Sequence, residues 1–325
     1  METAVTSRNG SAYSEALGEP AMNMGMMEIP AFLMCPPFSF STKVANNIWM
    51  EEIEPEERAV DHRRATKQFL ELYHYLTSEA IVQILPTPNG CGLQDLVFVA
   101  NMGVVLEHIK EKNTVIISNF KADVRCGESD VGIRFFQSMG YDVYIPPYHF
   151  EGEAELKYLY DNIYIGGYGI RSDARAHRWL EDRFDMRVIQ LQEVDEYLYH
   201  LDCTVFPITK EQTIVCTEMY TKEEIRAIEE VTSIIDVSED DCYSGITNSV
   251  RLHNILLNAS NINYLKKGTE LYQLELQKNR RLEDIATELG FEVYYFNLDE
   301  FMKSGALLSC LVMHLNRNSY NIDLL

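Results

Sequence analysis

The sequence predicts an α/β protein built as a ring of five repeated units. Three observations carry that prediction. Short apolar runs of strand length alternate with longer stretches of helical periodicity along the whole chain. The order of strands, helix and strand recurs five times, with a period of about 50 to 65 residues. One strand is left over at each end, and pairing the last with the first unit closes the ring and removes exposed sheet edges.

The elements follow in order. Residues 31–35 read as a strand that Pro36 and Pro37 end by removing backbone donors. A helix is expected over 55–76, where Val60, Phe69, Leu72, Tyr73 and Leu76 fall mostly at helical spacing, followed by a strand at 81–85. The second unit reads as strands 96–106 and 114–118, helix 130–139 and strand 142–145. After a glutamate-rich loop near Phe150 come strand 162–166, helix 172–183 capped by Ser172 or Asp173, and strand 186–191. The fourth unit has strands 198–208 and 212–217, helix 222–230 after the cap Thr221, and strand 234–237. The fifth has strands 246–252 and 254–257, helix 269–289 stopped by Gly290, and strand 291–296. Residues 307–315, which contain Cys310, are the strand left over. Residues 1–28 have no basic stretch leading into an apolar core, so they read as a flexible tail rather than a signal peptide, and 29–325 as a single domain.

Composition narrows the function classes. A 325-residue chain that is 46% hydrophobic can bury a large core, and a net charge of -22 disfavours nucleic acid as a partner. A cationic small molecule is easier to attract. Seven cysteines without CxxC or histidine-rich spacing indicate neither a metal site nor a disulfide framework, and free thiols suit a cytoplasmic location. No apolar run approaches the ~20 residues that span a bilayer. No cofactor-binding signature is present: Gly166-Gly167-Tyr168-Gly169 lacks the spacing of a dinucleotide loop. A homo-oligomer is compatible with these properties.

Chemistry is concentrated in a few places. Cys310 sits in an apolar run just after Lys303-Ser304-Gly305, a turn that leaves room for a substrate beside it. A cysteine in such a run is more often a small buried hydrophobe, so its partners matter. His200-Leu201-Asp202 would place the imidazole and a carboxylate on one face of a strand. Asp95 and Asn101 bracket another apolar run, and Glu151 lies in a turn. Carboxylates around a histidine and a thiol suit a guanidinium, whose donors form a fixed fork. In that reading Cys310 attacks the guanidinium carbon, His200 moves protons, and Arg171 is a candidate for a substrate carboxylate.

The ordered set Met34-Cys35-Pro36-Pro37, Asn47-Ile48-Trp49-Met50, 95–103 (Asp-Leu-Val-Phe-Val-Ala-Asn-Met-Gly), Phe150-Glu151-Gly152, 167–172 (Gly-Tyr-Gly-Ile-Arg-Ser), His200-Leu201-Asp202 and the Cys310 run resembles the guanidino-group modifying superfamily, the penteins. The resemblance covers about residues 32–315 and is strongest to the arginine dihydrolase, amidinotransferase-like and dimethylarginine dimethylaminohydrolase branch. It implies a five-bladed α/β propeller with a central active site. It further implies Cys310 as nucleophile, His200 as general acid and base, Glu151 as support for proton transfer, Asp95 and Asp202 at the guanidinium and Arg171 at the α-carboxylate. Asn101 and Asn47 match the dihydrolase-like branch. The implied activity is a cofactor-free, metal-free hydrolysis of L-arginine to ornithine, ammonia and carbon dioxide. A deiminase, a dimethylarginine hydrolase, an amidinotransferase and a non-catalytic interaction module are the alternatives. Ile48, Glu155 and Ala306 depart from the family pattern, which often has Pro, Asp and Gly there.

Overall fold

Each of the five expected units folds into a three-stranded sheet with the same internal plan. The computed structural model describes residues 27–320, so nearly all of the expected tail, 1–28, lies outside the described residues. The strands are β1 (Ala31–Met34), β2 (Ile81–Ile84), β3 (Gly103–Val105), β4 (Thr114–Ile117), β5 (Asp142–Tyr144), β6 (Leu156–Tyr160), β7 (Ile163–Tyr168), β8 (Arg187–Gln192), β9 (Val205–Pro207), β10 (Gln212–Val215), β11 (Ser233–Asp236), β12 (Val250–Leu252), β13 (Ile255–Ala259), β14 (Glu292–Phe296) and β15 (Met313–His314). The sheets run β15-β1-β2, β3-β4-β5, β6-β7-β8, β9-β10-β11 and β12-β13-β14.

In every sheet the first strand is antiparallel to the second, and the second is parallel to the third. A parallel pair needs a crossover, and a helix supplies it each time. The helices are α1 (Ile48–Glu52), α2 (His62–Leu76), α3 (Glu128–Ser138), α4 (Ala174–Phe184), α5 (Lys222–Glu229), α6 (Glu239–Tyr243), α7 (Glu270–Glu288) and α8 (Asp299–Met302). Of these α2, α3, α4, α5 and α7 are the crossovers. The expected closure is present: β15 pairs with β1, with Phe32 opposite His314 and Leu33 opposite Met313.

The core follows from strand alternation. Successive side chains of a strand point to opposite faces. Phe32 and Met34 therefore pack toward the fifth blade, with Leu257 and Phe296, while Ala31 and Leu33 pack toward the second, with Val115 and Ile117. Ile116 joins Tyr164 between the second and third blades, Ile165 joins Val215 between the third and fourth, and Ile214 joins Leu256 between the fourth and fifth. Five blades thus share five cores in a ring.

Several boundaries differ from expectation. Helix α2 begins at His62, because Asp61 accepts the amides of Arg63 and Arg64 and caps it there. Asp173, not Ser172, caps α4. Strand β6 was hidden in the glutamate-rich stretch, and the short α1 and α6 had no clear signal. The expected strands 96–106, 198–208 and 307–315 are each a tight 3-10 turn followed by a strand of two or three residues: Val99–Asn101, Leu201–Cys203 and Ser309–Leu311 are the turns. A short apolar run does not distinguish a buried turn from a buried strand.

Candidate active site

Those turns build the site. A 3-10 turn enters the first strand of four blades, the fourth being Gly152–Ala154, and in the fifth blade Thr247-Asn248-Ser249 makes the corresponding bend. The turns crowd one another at the ring's centre. Gly152 has φ +64, and a Cβ there would lie 2.6 Å from the Ala100 carbonyl oxygen and 2.7 Å from the Gly103 nitrogen, so glycine is required.

His200 immediately precedes its turn and Asp202 lies inside it, so the two do not share a strand face. His200 Nε2 is 2.8 Å from Glu151 Oε2, both residues being buried. Burial raises a carboxyl, yet the hydrogen bond and charge of His200, joined by Arg171 and Arg125, outweigh it and hold Glu151 at about 2. Asp202 Oδ2 accepts from Ser309 Oγ at 2.7 Å, which ties the histidine turn to the cysteine turn.

Cys310 is buried. Burial first and the Asp202 charge second push its thiol up to about 12, against the Leu307 amide and the Asn248 side chain. Asn248 Nδ2 lies 3.7 Å from the sulfur, while its Oδ1 accepts the Ser309 amide at 2.8 Å. One side chain therefore fixes both the sulfur and the turn that carries it.

Cys310 and His200 line one cavity together with Asn46, Asn47, Asp95, Asn101, Arg171 and Tyr199. Asp95 is buried; Oδ2 accepts from Asn46 Nδ2 at 2.5 Å, and Oδ1 has no partner. Burial pushes its carboxyl above the usual carboxylate range, opposed by Arg125, Gln94, Asn46 and Arg171. Asn101 Nδ2 is buried and without a partner. Asn47 caps α1 through the Met50 amide and donates to the Ser304 carbonyl at 3.0 Å and the Tyr199 hydroxyl at 3.3 Å. Arg171 donates to the Asn46 carbonyl at 2.6 Å, stacks 4.7 Å from the Tyr199 ring centre and approaches Glu151 Oε1 at 3.7 Å.

Six of the eight sequence-predicted residues, Cys310, His200, Asp95, Asn101, Arg171 and Asn47, line this cavity. Glu151 stands behind His200, and Asp202 stands beneath the cysteine turn. Asn46, Tyr199, Asn248 and the buried Arg125–Glu128 pair were not foreseen. Asn46 adjoins a residue already singled out, and Tyr199 sits inside the histidine motif, so proximity was the available signal; Asn248, in a Thr-Asn-Ser bend, offered none. All seven cysteines are free thiols.

Comparison with known proteins agrees with this geometry. A family model described as N,N dimethylarginine dimethylhydrolase, eukaryotic, matches residues 36–317. The bifunctional arginine dihydrolase/ornithine cyclodeaminase AgrE of Nostoc sp. is 30% identical over 87% of this chain and 37% of its own length. The chain thus spans little more than a third of that relative. The N(G),N(G)-dimethylarginine dimethylaminohydrolase of Mycobacterium tuberculosis is 30% identical over 61% of each chain. Among solved structures, the N-terminal domain of ArgZ, covalently bound to a reaction intermediate, superposes with a TM-score of 0.75 at 27% identity, covering 88% of this chain and 97% of that one. With a five-bladed ring, a cysteine and a histidine on its central cavity and a family match across most of its length, the chain belongs to the N,N-dimethylarginine dimethylhydrolase family of pentein proteins.

Proposed function

We propose that this protein hydrolyses the guanidino group of L-arginine through a covalent intermediate on Cys310, giving ornithine, ammonia and carbon dioxide. The observation that supports this reading best is the convergence of Cys310, the His200–Glu151 pair, Asp95 and the unpartnered Asn101 amide on one buried cavity.

The guanidinium replaces Asn46 at the Asp95 carboxyl, where its charge offsets the burial that now disfavours the anion. The same charge, brought beside Cys310, favours the thiolate. The thiol proton passes to His200, and the sulfur attacks the guanidinium carbon. His200 returns the proton to the departing nitrogen, ammonia leaves, and an S-alkylthiouronium remains. Water, deprotonated by His200, attacks that carbon, and thiolate departs to leave a ureido group. A second round expels the second ammonia, forms a thiocarbamate on Cys310 and ends in a carbamate that loses carbon dioxide. Arginine and two waters thereby give ornithine, two ammonia and carbon dioxide. Glu151 keeps the His200 imidazole oriented throughout, and Arg171 takes the α-carboxylate.

Relatives named as arginine dihydrolases match over nearly the whole chain. The family model favours a second reading, release of dimethylamine from dimethylarginine. Incubation with each substrate and mass spectrometry of the products separates them. Ornithine from arginine supports the proposal; citrulline alone, or turnover of dimethylarginine only, overturns it.

A further inference from the structure

The largest unexplained concentration of chemistry near the site is a pair of buried carboxyls. Glu155 follows the turn at 152–154, and Glu193 follows β8. Both are buried, at 0% and 6% exposure, and they meet over Gly167. A Cβ on Gly167 would lie 2.7 Å from Glu155 Oε2 and closer still to Glu193 Oε1, so the glycine makes the space they share. Of their four oxygens only Glu155 Oε2 receives a donor, the Leu201 amide at 3.2 Å; the other three have none.

Two buried anions in contact with no donor between them are not a stable arrangement, whereas one proton between them satisfies both. The groups facing the pair show where that proton resides. His200 and Glu151 face Glu155, while Asp202, Cys203 and Tyr220 face Glu193. Burial raises both carboxyls. His200 offsets that at Glu155, but the charges around Glu193 add to it, so the proton belongs to Glu193.

We propose that Glu193 is a positioning residue: its protonated carboxyl donates a hydrogen bond to Glu155, and the Glu155 carboxylate, held in this way, fixes the Leu201 amide and the turn bearing His200 and Asp202. Leu201 is the residue between those two, so its amide is the shortest handle on both. The inference rests on the arginine hydrolysis proposed above. It also gives Glu155 a reason to be longer than aspartate by one methylene, which reaches the partner over Gly167.

Two variants test it, Glu193→Gln and Glu193→Ala, with circular dichroism confirming the fold of each. Glutamine at 193 still donates, so Glu193→Gln keeps kcat within about threefold of the parent. Glu193→Ala loses about 10- to 100-fold in kcat with KM within about twofold, because the turn shifts while the binding groups remain. Hydrogen exchange at the Leu201 amide reads the same contact: it quickens about tenfold or more in Glu193→Ala and stays within about threefold of the parent in Glu193→Gln. Glu193→Gln as slow as Glu193→Ala, Glu193→Ala at the parent rate, or Leu201 exchange unchanged in Glu193→Ala overturns the inference. The exchange needs no turnover: a parent protein inactive on arginine whose Leu201 amide still loses protection in Glu193→Ala sinks the proposed activity and supports the positioning pair.

Discussion

The thiol of Cys310 rests protonated, because it is buried and stands near the Asp202 charge. Resting protein at pH 7 should therefore alkylate with iodoacetamide far more slowly at Cys310 than at the exposed Cys126, and the rate at Cys310 should climb steeply toward pH 10 and above. Peptide mapping of the alkylated sites reads both, and equal labelling at pH 7 would contradict a stored thiol. Glu151 and Glu153 add a pH dependence of stability. Both are held at about 2, below the usual 4.5: burial opposes this, but His200 and Arg171 outweigh it at Glu151, and Arg317 and His314 at Glu153. The unfolded state binds their protons first, so their stabilising contribution is complete above about pH 4.5 and is lost as pH falls toward about 2. Urea midpoints should drop across that window, and Glu153→Gln should flatten the drop. At Asn101 the amide offers a neutral ureido group both a donor and an acceptor, which a carboxylate does not. Asn101→Asp should shift products from ornithine toward citrulline while the first ammonia is still released; an unchanged ornithine yield would remove Asn101 from the explanation. Cys310 and His200 were legible because cysteine and histidine are rare residue types and here stand in suggestive neighbourhoods. Glu193 was not, because a lone glutamate after a strand reads as surface until the fold buries it.

The five crossover helices were legible from caps and periodicity, and the five-unit order survives intact. Thr221 and Glu224 form the reciprocal capping box of α5, and Thr269 accepts the Tyr272 amide at the start of α7. The inner strands were not legible at their true length. Residues 96–101, 198–203 and 307–311 are apolar enough for strands, but their backbone bonds close locally, as in Asn101 to Phe98, Cys203 to His200 and Leu311 to Leu308. Convergence of five chain segments at one axis demands a change of direction that a continuous strand cannot make. The same bends let short side chains reach the cavity. Between blades the cores carry the stability. Leu257 is fully buried between the first and fifth blades, and Leu257→Ala should cost about 2 to 5 kcal/mol in urea denaturation with little change in KM. A cost below about 1 kcal/mol would mean that this interface is not a tight core.

Across the whole molecule the net charge of -22 surrounds the cavity that is proposed to take a cation. Raising ionic strength from about 0.02 M to about 0.5 M should increase the KM for arginine several-fold and leave kcat unchanged, since screening acts on encounter. A flat KM would assign recognition to the buried carboxyl alone. The ring itself was the most legible large-scale feature, because a leftover strand at each end has few other places to go. No helix among the described residues is long and apolar enough to cross a membrane. The pairing of β15 with β1 has a consequence for biosynthesis. Only Leu311 and Val312 separate Cys310 from β15, so its sulfur leaves the ribosome after Asp95, Glu151 and His200, attached to the strand that locks the ring. A growing chain thus holds most of the cavity wall before it holds the thiol, and the thiol is born directly into the enclosure that keeps it protonated. Any event that unzips the last strand displaces the Cys310 turn in the same motion.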